Sequence, residues 1–434
     1  MKSLIKKFIP KSVLSLYHKF LAIVARFAFG NPSEKMIVIG VTGTNGKSST
    51  VKLIAKALAS EGAKVGYTST SEFQIGDKEW LNKTKMTMLG RFQLQKLLKK
   101  MVDAGCRYAV VEVSSQGVEQ FRHFGINFDY AIFTNLTPEH IEAHGGFENY
   151  KKAKGKFFKF LTLRPRKKIN GQEIKKVMVV NRDDEHSDYF LSFPADKKLI
   201  FSAQDKLSDV FAENIKVSTL GTSFSVKGLE INLRLLGKFN VYNSLPAIAI
   251  GLNEGLDLEK IKAALEAAKV IPGRMELIDE GQPFSVIVDY APEPYSLAKL
   301  YETLDLMQKN KLIHVLGSCG GGRDVARRPI LGKMAGEKAD IVIVTNEDPY
   351  DDDPQKIIDE VAAGAIGVGK KLNENLFKIL DRKEAIAKAM NLAGAGDLVV
   401  LTGKGSEQAI VVKNNKKMPW DEREAAREVL RRRC

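Results

Sequence analysis

Short unbroken apolar runs recur along this chain, each closed by glycine or polar residues and followed by a segment of helical spacing. The first six lie at residues 36–39, 64–67, 108–113, 130–133, 177–180 and 198–201. A parallel strand covered on both faces reads as such a run, and strands alternating with helical segments such as 94–104 predict a parallel sheet. The pattern predicts an α/β domain over residues 35–271. Within it, residues 222–226 and 230–235 switch to short alternating strands, an antiparallel appendage, and Gly237 to Asn243 opens a small-residue helix ending near Gly255. Residues 270–274 read as a hinge. A second series of strands at 286–289, 312–316, 341–345 and 398–401 predicts a doubly wound, Rossmann-like domain over 272–434.

The first 34 residues follow a different pattern. Lys2, Lys6, Lys7, Lys11, Lys19 and Arg26 punctuate Leu4, Phe8, Leu14, Leu16, Phe20, Ile23, Val24 and Phe27, and residues 1–30 hold no acidic residue. Ser12 is placed to cap a helix running to about Phe29. The uncharged run is too short to span a bilayer, and no small-residue cleavage site follows it. A basic amphipathic helix lies on an anionic membrane or packs on its own protein. Asn31-Pro32-Ser33 reads as a linker.

Composition narrows the classes. The chain has 434 residues and a net charge of +15. No basic stripe interleaved with aromatics accompanies that charge, which argues against nucleic acid and for anionic substrates. Cys106, Cys319 and Cys434 are odd in number and far apart. They suit a reducing cytosol and form no disulfide framework or CxxC metal site.

The chemistry concentrates at strand ends. After the 36–39 run comes Gly40-Val41-Thr42-Gly43-Thr44-Asn45-Gly46-Lys47-Ser48-Ser49. A glycine-rich turn into a helix closes backbone N–H groups around phosphate, Lys47 reaches the terminal phosphates, and the Ser48 hydroxyl suits Mg²⁺. Val41 stands where the strict phosphate-loop pattern has glycine, so the loop is a variant; the bland reading is a tight strand-to-helix turn. Glu112 ends a strand, the position of a Mg²⁺ ligand or of a capping carboxylate. His140 and His144 are four apart and read as a zinc pair, as a histidine beside phosphate-bound Mg²⁺, or as structural. Lys154 lies in a lysine-rich segment that reads as a solvated helix face. Asp183-Asp184 and the acidic run 347–353 read as loop solvation or cation recognition. Residues 317–324 and 403–407 are glycine-rich strand ends that permit close ligand approach.

Together these residues resemble the Mur ligases, the ATP-dependent amide-forming enzymes of peptidoglycan synthesis. The resemblance runs in order through Gly43 to Ser48, Glu112 to Ser115, Thr134-Asn135-Leu136 with Glu139, His140 and His144, then Tyr150 and Lys154, Phe239-Asn240 with Asn243, Pro272 to Glu276, Val288 to Ala291, Gly322 to Asp324 with Arg328, Gly403-Lys404-Gly405, and Asp421 to Arg423. It is nearest to the subgroup that adds the third residue to UDP-MurNAc-L-Ala-D-Glu, a UDP-muramoyl-dipeptide. The resemblance implies an acyl-phosphate mechanism using ATP, Mg²⁺ and a free amino acid. It implies ATP contacts from Gly43, Thr44, Asn45, Gly46, Lys47, Ser48, Ser49, Asn243, Arg274 and Asp289. It implies metal binding by Ser48, Glu112, His140 and a carbamylated Lys154, with Lys47, Lys154 and His140 catalytic. Thr84, Thr87 and Ser114 fall near the acceptor, and Asp348, Tyr350, Gly403 and Glu407 near the amino acid. Where the diaminopimelate enzymes carry Asp-Asn-Pro-Arg, this chain has Glu347-Asp348-Pro349-Tyr350. Tyrosine lacks the bidentate fork of arginine, which points to L-lysine or another diamino acid, its amine drawn by Asp351, Asp352 and Asp353. Pro292, Ser406 and Arg327 also depart from the family pattern. A family uridine-binding domain of order 100 residues has only 34 residues available before the central domain here. That leaves open a lipid-linked acceptor, a folylpolyglutamate-like ligase, or a non-catalytic ATP-binding scaffold.

Overall fold

The computed structural model describes residues 11–139, 141–218, 221–322 and 325–433. In its larger sheet nine strands run in the order Val210–Phe211, Lys197–Ser202, Val177–Asn181, Tyr130–Phe133, Ile37–Thr42, Tyr108–Glu112, Val65–Thr68, Glu72–Ile75 and Lys78–Leu81. The first seven pair in parallel, and the last two turn back as an antiparallel edge. Ile37–Thr42 is central and buried at every position. Ile37, Ile39 and Val41 face one core, with the helices Lys47–Leu58 and Phe239–Asn253. Val38 faces the other, with Arg91–Asp103 and Phe147–Thr162. Coverage on both faces explains the unbroken apolar run. The appendage is a three-stranded antiparallel sheet, Glu213–Ser218, Gly221–Val226 and Leu229–Leu233, whose inner residues join the first core.

The second sheet runs Glu276–Ile278, Ser285–Val288, Leu398–Leu401, Leu312–Leu316, Ile341–Thr345 and Leu376–Ile379. All neighbours are parallel except the first pair. Both sheets therefore present their polar motifs at the carboxyl ends of parallel strands, where open α/β sheets bind ligands.

Two local expectations change. The N-terminal helix spans Lys11–Ala28, so Ser12 lies within it and not at its cap. Its inner face, with Ala22 and Ala25 buried, packs on the Arg91–Asp103 helix. Its outer face leaves Val13, Leu16, Tyr17, Phe20 and Phe27 between 55% and 71% exposed. Residues 31–33 are not a loose linker. Pro32–Lys35 forms a 3₁₀ turn, and the buried Ser33 Oγ accepts the Asn127 N–H at 3.1 Å. At residues 270–274, a Cβ on Gly273 (φ +61°) would lie 2.1 Å from the Ser406 nitrogen, so the second-domain end of this segment is wedged against the 403–405 loop of the same domain. No helix among the described residues is long and apolar enough to cross a membrane.

Candidate active site

Register sets the site. Val41 pairs with Glu112 and Thr42 with Phe133, so the loop leaving the central strand is flanked by Glu112 on one side and Thr134 on the other. Two glycines let the loop fit between them. A Cβ on Gly43 would lie 1.9 Å from Thr134 Oγ1, and one on Gly46 (φ +80°) 2.2 Å from Asn243 Oδ1. The Thr44 N–H donates to the Asn135 carbonyl and the Asn45 N–H to Asn135 Oδ1, each at 2.8 Å. The loop is thereby fixed at the N-terminus of the Lys47–Leu58 helix, whose first N–H groups have no intrahelical acceptor and favour an anion. The Lys47 ammonium donates to the Thr44 carbonyl at 2.6 Å, folded over the loop.

Glu112 is 1% exposed. Its Oε2 accepts from the Ser48 hydroxyl at 2.8 Å and the Thr70 N–H at 2.7 Å, and its Oε1 from the Thr70 hydroxyl at 2.9 Å. All three donors are neutral. A buried carboxylate on neutral donors, beside a serine hydroxyl and a helix N-terminus, is the donor set of a hard divalent cation that also takes phosphate oxygens. Glu112 and Ser48 thus fit Mg²⁺. His140 lies outside the described residues. Among those described, no three His, Cys, Asp or Glu side chains gather closely enough to hold a metal.

Lys154 supplies the main correction to the reading from residues alone. The Phe147–Thr162 helix buries Tyr150, Lys154, Phe157, Phe158 and Leu161 on one face, while Lys152, Lys156 and Lys159 are exposed. Lys154 is therefore no part of a solvated face. Its ammonium lies under the phosphate loop, donating to the Gly43 carbonyl at 2.6 Å and sitting 4.5 Å from the Tyr150 ring centroid. Burial, reinforced by Lys47, holds its pKa well below the ordinary lysine value, against the pull of Glu139 and Glu112. His144 faces Ser115, with Nε2 3.0 Å from Oγ.

A cleft of about 580 Å³ opens over the loop and is lined from both halves of the chain. Thr44, Asn45, Gly46, Lys47, Ser48, Ser49, Thr87, Glu112, Ser114 and Asn243 line it from the first half, Arg274 and Asp289 from the second. Arg274 stacks 4.5 Å over the Tyr290 ring. Asp289 accepts the Met275 N–H at 2.7 Å, and burial raises its pKa against the pull of Arg274. Glu293, not singled out from sequence, ties the halves by accepting from the Asn45 amide at 3.0 Å. Thr70 was also missed; it bridges Glu112 to Thr87, at 3.1 Å.

The amino-acid residues lie off this cleft. Asp348 accepts from Lys404 at 3.0 Å and Lys85 at 2.6 Å, and Glu407 accepts from Lys404 at 2.8 Å. Burial opposes ionisation of Asp348, but Lys404 and Lys85 prevail and hold its pKa below the usual carboxylate value. Gly403 (φ +98°) packs on Glu347, and Tyr350 (φ +53°) covers Gly321. Thr84 stays outside the cleft, with its hydroxyl on Asn82 Oδ1 at 2.6 Å. Each of the three aspartates also holds a local contact: Asp351 accepts the Asn414 N–H, Asp352 pairs with Arg328 and Asp353 caps the following helix.

Comparison with known proteins agrees with this layout. Residues 41–251 match the Mur ligase middle domain and residues 273–405 the Mur ligase glutamate ligase domain. The chain is 40% identical over 421 residues to the UDP-N-acetylmuramyl-tripeptide synthetase of Roseiflexus sp. (strain RS-1), covering 94% of this chain and 81% of that protein. It is 36% identical over 432 residues to the UDP-N-acetylmuramoyl-L-alanyl-D-glutamate–2,6-diaminopimelate ligase of Geobacillus kaustophilus (strain HTA426), covering 98% and 85%. A solved structure of a ligase with that same name superposes with a TM-score of 0.59 at 30% identity, over 92% of this chain and 79% of the other. Identity of that extent along nearly the whole length, laid over a phosphate loop, a metal-type carboxylate and a buried lysine, means that the chain belongs to the Mur ligase family.

Proposed function

We propose that this protein joins a diamino acid, L-lysine or one like it, to UDP-N-acetylmuramoyl-L-alanyl-D-glutamate at the expense of ATP. The observation that carries the reading is the cluster at the central strand end: a phosphate loop held between Glu112 and Thr134, with the buried Lys154 beneath it and Arg274 and Asp289 across the cleft. The acceptor carboxylate oxygen attacks the γ-phosphorus of ATP; the bond to the bridging oxygen breaks, and ADP leaves. The amino group then attacks the acyl carbon, a proton is lost from nitrogen, and the carbon–oxygen bond to phosphate breaks to give the amide. Phosphoryl transfer needs positioning and charge stabilisation above all. The loop N–H groups and Lys47 hold the phosphates, Asn243, Arg274 and Asp289 the nucleoside end, and Thr87 and Ser114 the acceptor.

Mg²⁺ would be held by Ser48 and Glu112, with His140 and a carbamylated Lys154 as further ligands, and would neutralise phosphate charge. Lys154, its pKa lowered by burial, is the amine that would react with CO₂: the neutral nitrogen bonds carbon, a proton leaves, and a carbamate anion takes the amine's place. A screen of ADP release over amino acids and acceptors tests the reading. Release requiring both this UDP-linked dipeptide and a diamino acid is expected; release driven by a folate acceptor, or none with any pair, counts against it.

We also infer peripheral contact with an anionic, cytoplasmic-side membrane surface through the N-terminal helix. Support comes from its exposed stripe of Val13, Leu16, Tyr17, Phe20 and Phe27 and from six basic and no acidic residues in positions 1–30. Vesicle flotation is expected to carry the protein with anionic but not zwitterionic lipid, and the double change Leu16→Glu, Phe20→Glu to reduce binding at least tenfold, since about 1.5–3 kcal/mol rides on each large apolar side chain. Equal flotation of both proteins would remove the inference.

A further inference from the structure

The carboxylates assigned to the amino acid already hold a lysine, and it comes from the other half of the chain. Lys85 lies on the 82–88 loop beside the larger sheet, yet its ammonium is 2.6 Å from Asp348 Oδ2 and 3.1 Å from Glu407 Oε2. The contact is enclosed: the Lys85 side chain is 6% exposed, and those of Asp348 and Glu407 5% and 15%. Lys404 reaches the same two carboxylates. Lys85 and Lys404 are the ammonium groups paired with Asp348 and Glu407, with the buried Glu347 and Arg382 behind them. Lys85 lines the main cleft while Asp348 and Glu407 do not, so Lys85 stands between the reacting centre and the pair.

The loop that carries it is built to present it. Asn82 Oδ1 accepts the Thr84 N–H at 2.9 Å, and the Asn82 amide donates to the Met86 carbonyl at 3.0 Å, spanning Lys85. Lys85 takes a left-handed backbone (φ +56°), which an L-residue adopts only under constraint. From the opposite half, the Lys417 ammonium donates to the Thr84 carbonyl at 2.7 Å and tethers the loop shut.

We propose that Lys85 is an internal plug: its side chain sits where the side-chain ammonium of the incoming diamino acid binds, and entry of that substrate displaces it. The proposal rests on the reading of Asp348 and Glu407 as the amino-acid pocket. With Lys85 withdrawn, the ion pairs of Asp348 and Glu407 are left to Lys404. The pocket is then one unit more negative, which welcomes a second ammonium and gives a neutral side chain nothing in exchange for the lost ion pairs. The seat fits a primary amine on a four-carbon stem, because it holds one.

A plug lowers apparent affinity by the fraction of time the seat is open. Steady-state kinetics with L-lysine as varied substrate test this. Lys85→Met is expected to lower the amino-acid KM by about fivefold or more, with kcat and the KM for ATP within twofold of wild type. Lys417→Ala, an exposed change that loosens the same loop, is expected to move KM in the same direction by less. Lys85→Arg, which keeps the charge, should leave KM at or above the wild-type value. A KM for Lys85→Met that is unchanged or raised, with active wild-type enzyme, overturns the plug and leaves the pocket reading standing. Absence of any diamino-acid dependence in both wild type and Lys85→Met removes the pocket reading and the plug with it.

Discussion

Replacement of Lys154 by alanine is expected to lower amino-acid-dependent ADP release by about a thousandfold while leaving nucleotide binding within a few-fold of wild type. The side chain touches the Gly43 carbonyl from beneath the loop and does not line the cleft, so ATP loses no direct contact with it. What is lost is an anion-forming group beside Glu112. Burial, with Lys47 nearby, lowers its pKa and so favours the neutral amine, the form that adds to CO₂. Two further results separate this from a packing role. Enzyme stripped of CO₂ should regain activity on adding bicarbonate, and short carboxylates should partly restore Lys154→Ala. A variant that loses activity with no response to either would assign Lys154 to loop support alone.

The second large effect is expected at Glu112. Glu112→Gln should cut turnover by about 10²–10³ and raise the Mg²⁺ concentration for half-maximal activity. Thermal unfolding supplies the discriminating signature. Wild-type protein should gain stability from nucleotide only when Mg²⁺ is present, because the buried carboxylate has neutral donors until a cation arrives. The glutamine variant should lose that increment while its metal-free melting temperature does not fall, since the change deletes a buried charge. A metal-free protein markedly destabilised by Glu112→Gln would instead make Glu112 a structural anchor for Ser48 and Thr70.

Much of this was legible in the residues because strand periodicity and glycine placement are local. The run before Gly40 specified a doubly covered strand, and Gly43 and Gly46 marked the two close approaches. Lys154 was harder. Its neighbours Lys152, Lys156 and Lys159 suggested solvent, yet Tyr150, Lys154, Phe157 and Leu161 share one helical face, and that spacing was the available signal. Family resemblance drew Lys154 to the phosphate site, and the structure buries it beneath that loop. The Lys85 contact had no local trace, because it joins residues 263 positions apart across two sheets. The acidic run 351–353 shows the converse limit: composition records charge, and only tertiary structure shows the local contacts those side chains make, to the Asn414 N–H, to Arg328 and to a helix N-terminus.

The most direct test of the central claim is the mass of the acceptor after turnover. Incubation of UDP-N-acetylmuramoyl-L-alanyl-D-glutamate with ATP, Mg²⁺ and L-lysine should yield a product heavier by one lysine less one water, with one ADP formed for each. Consumption of ATP with the acceptor mass unchanged, or growth of a folate in its place, would contradict the account.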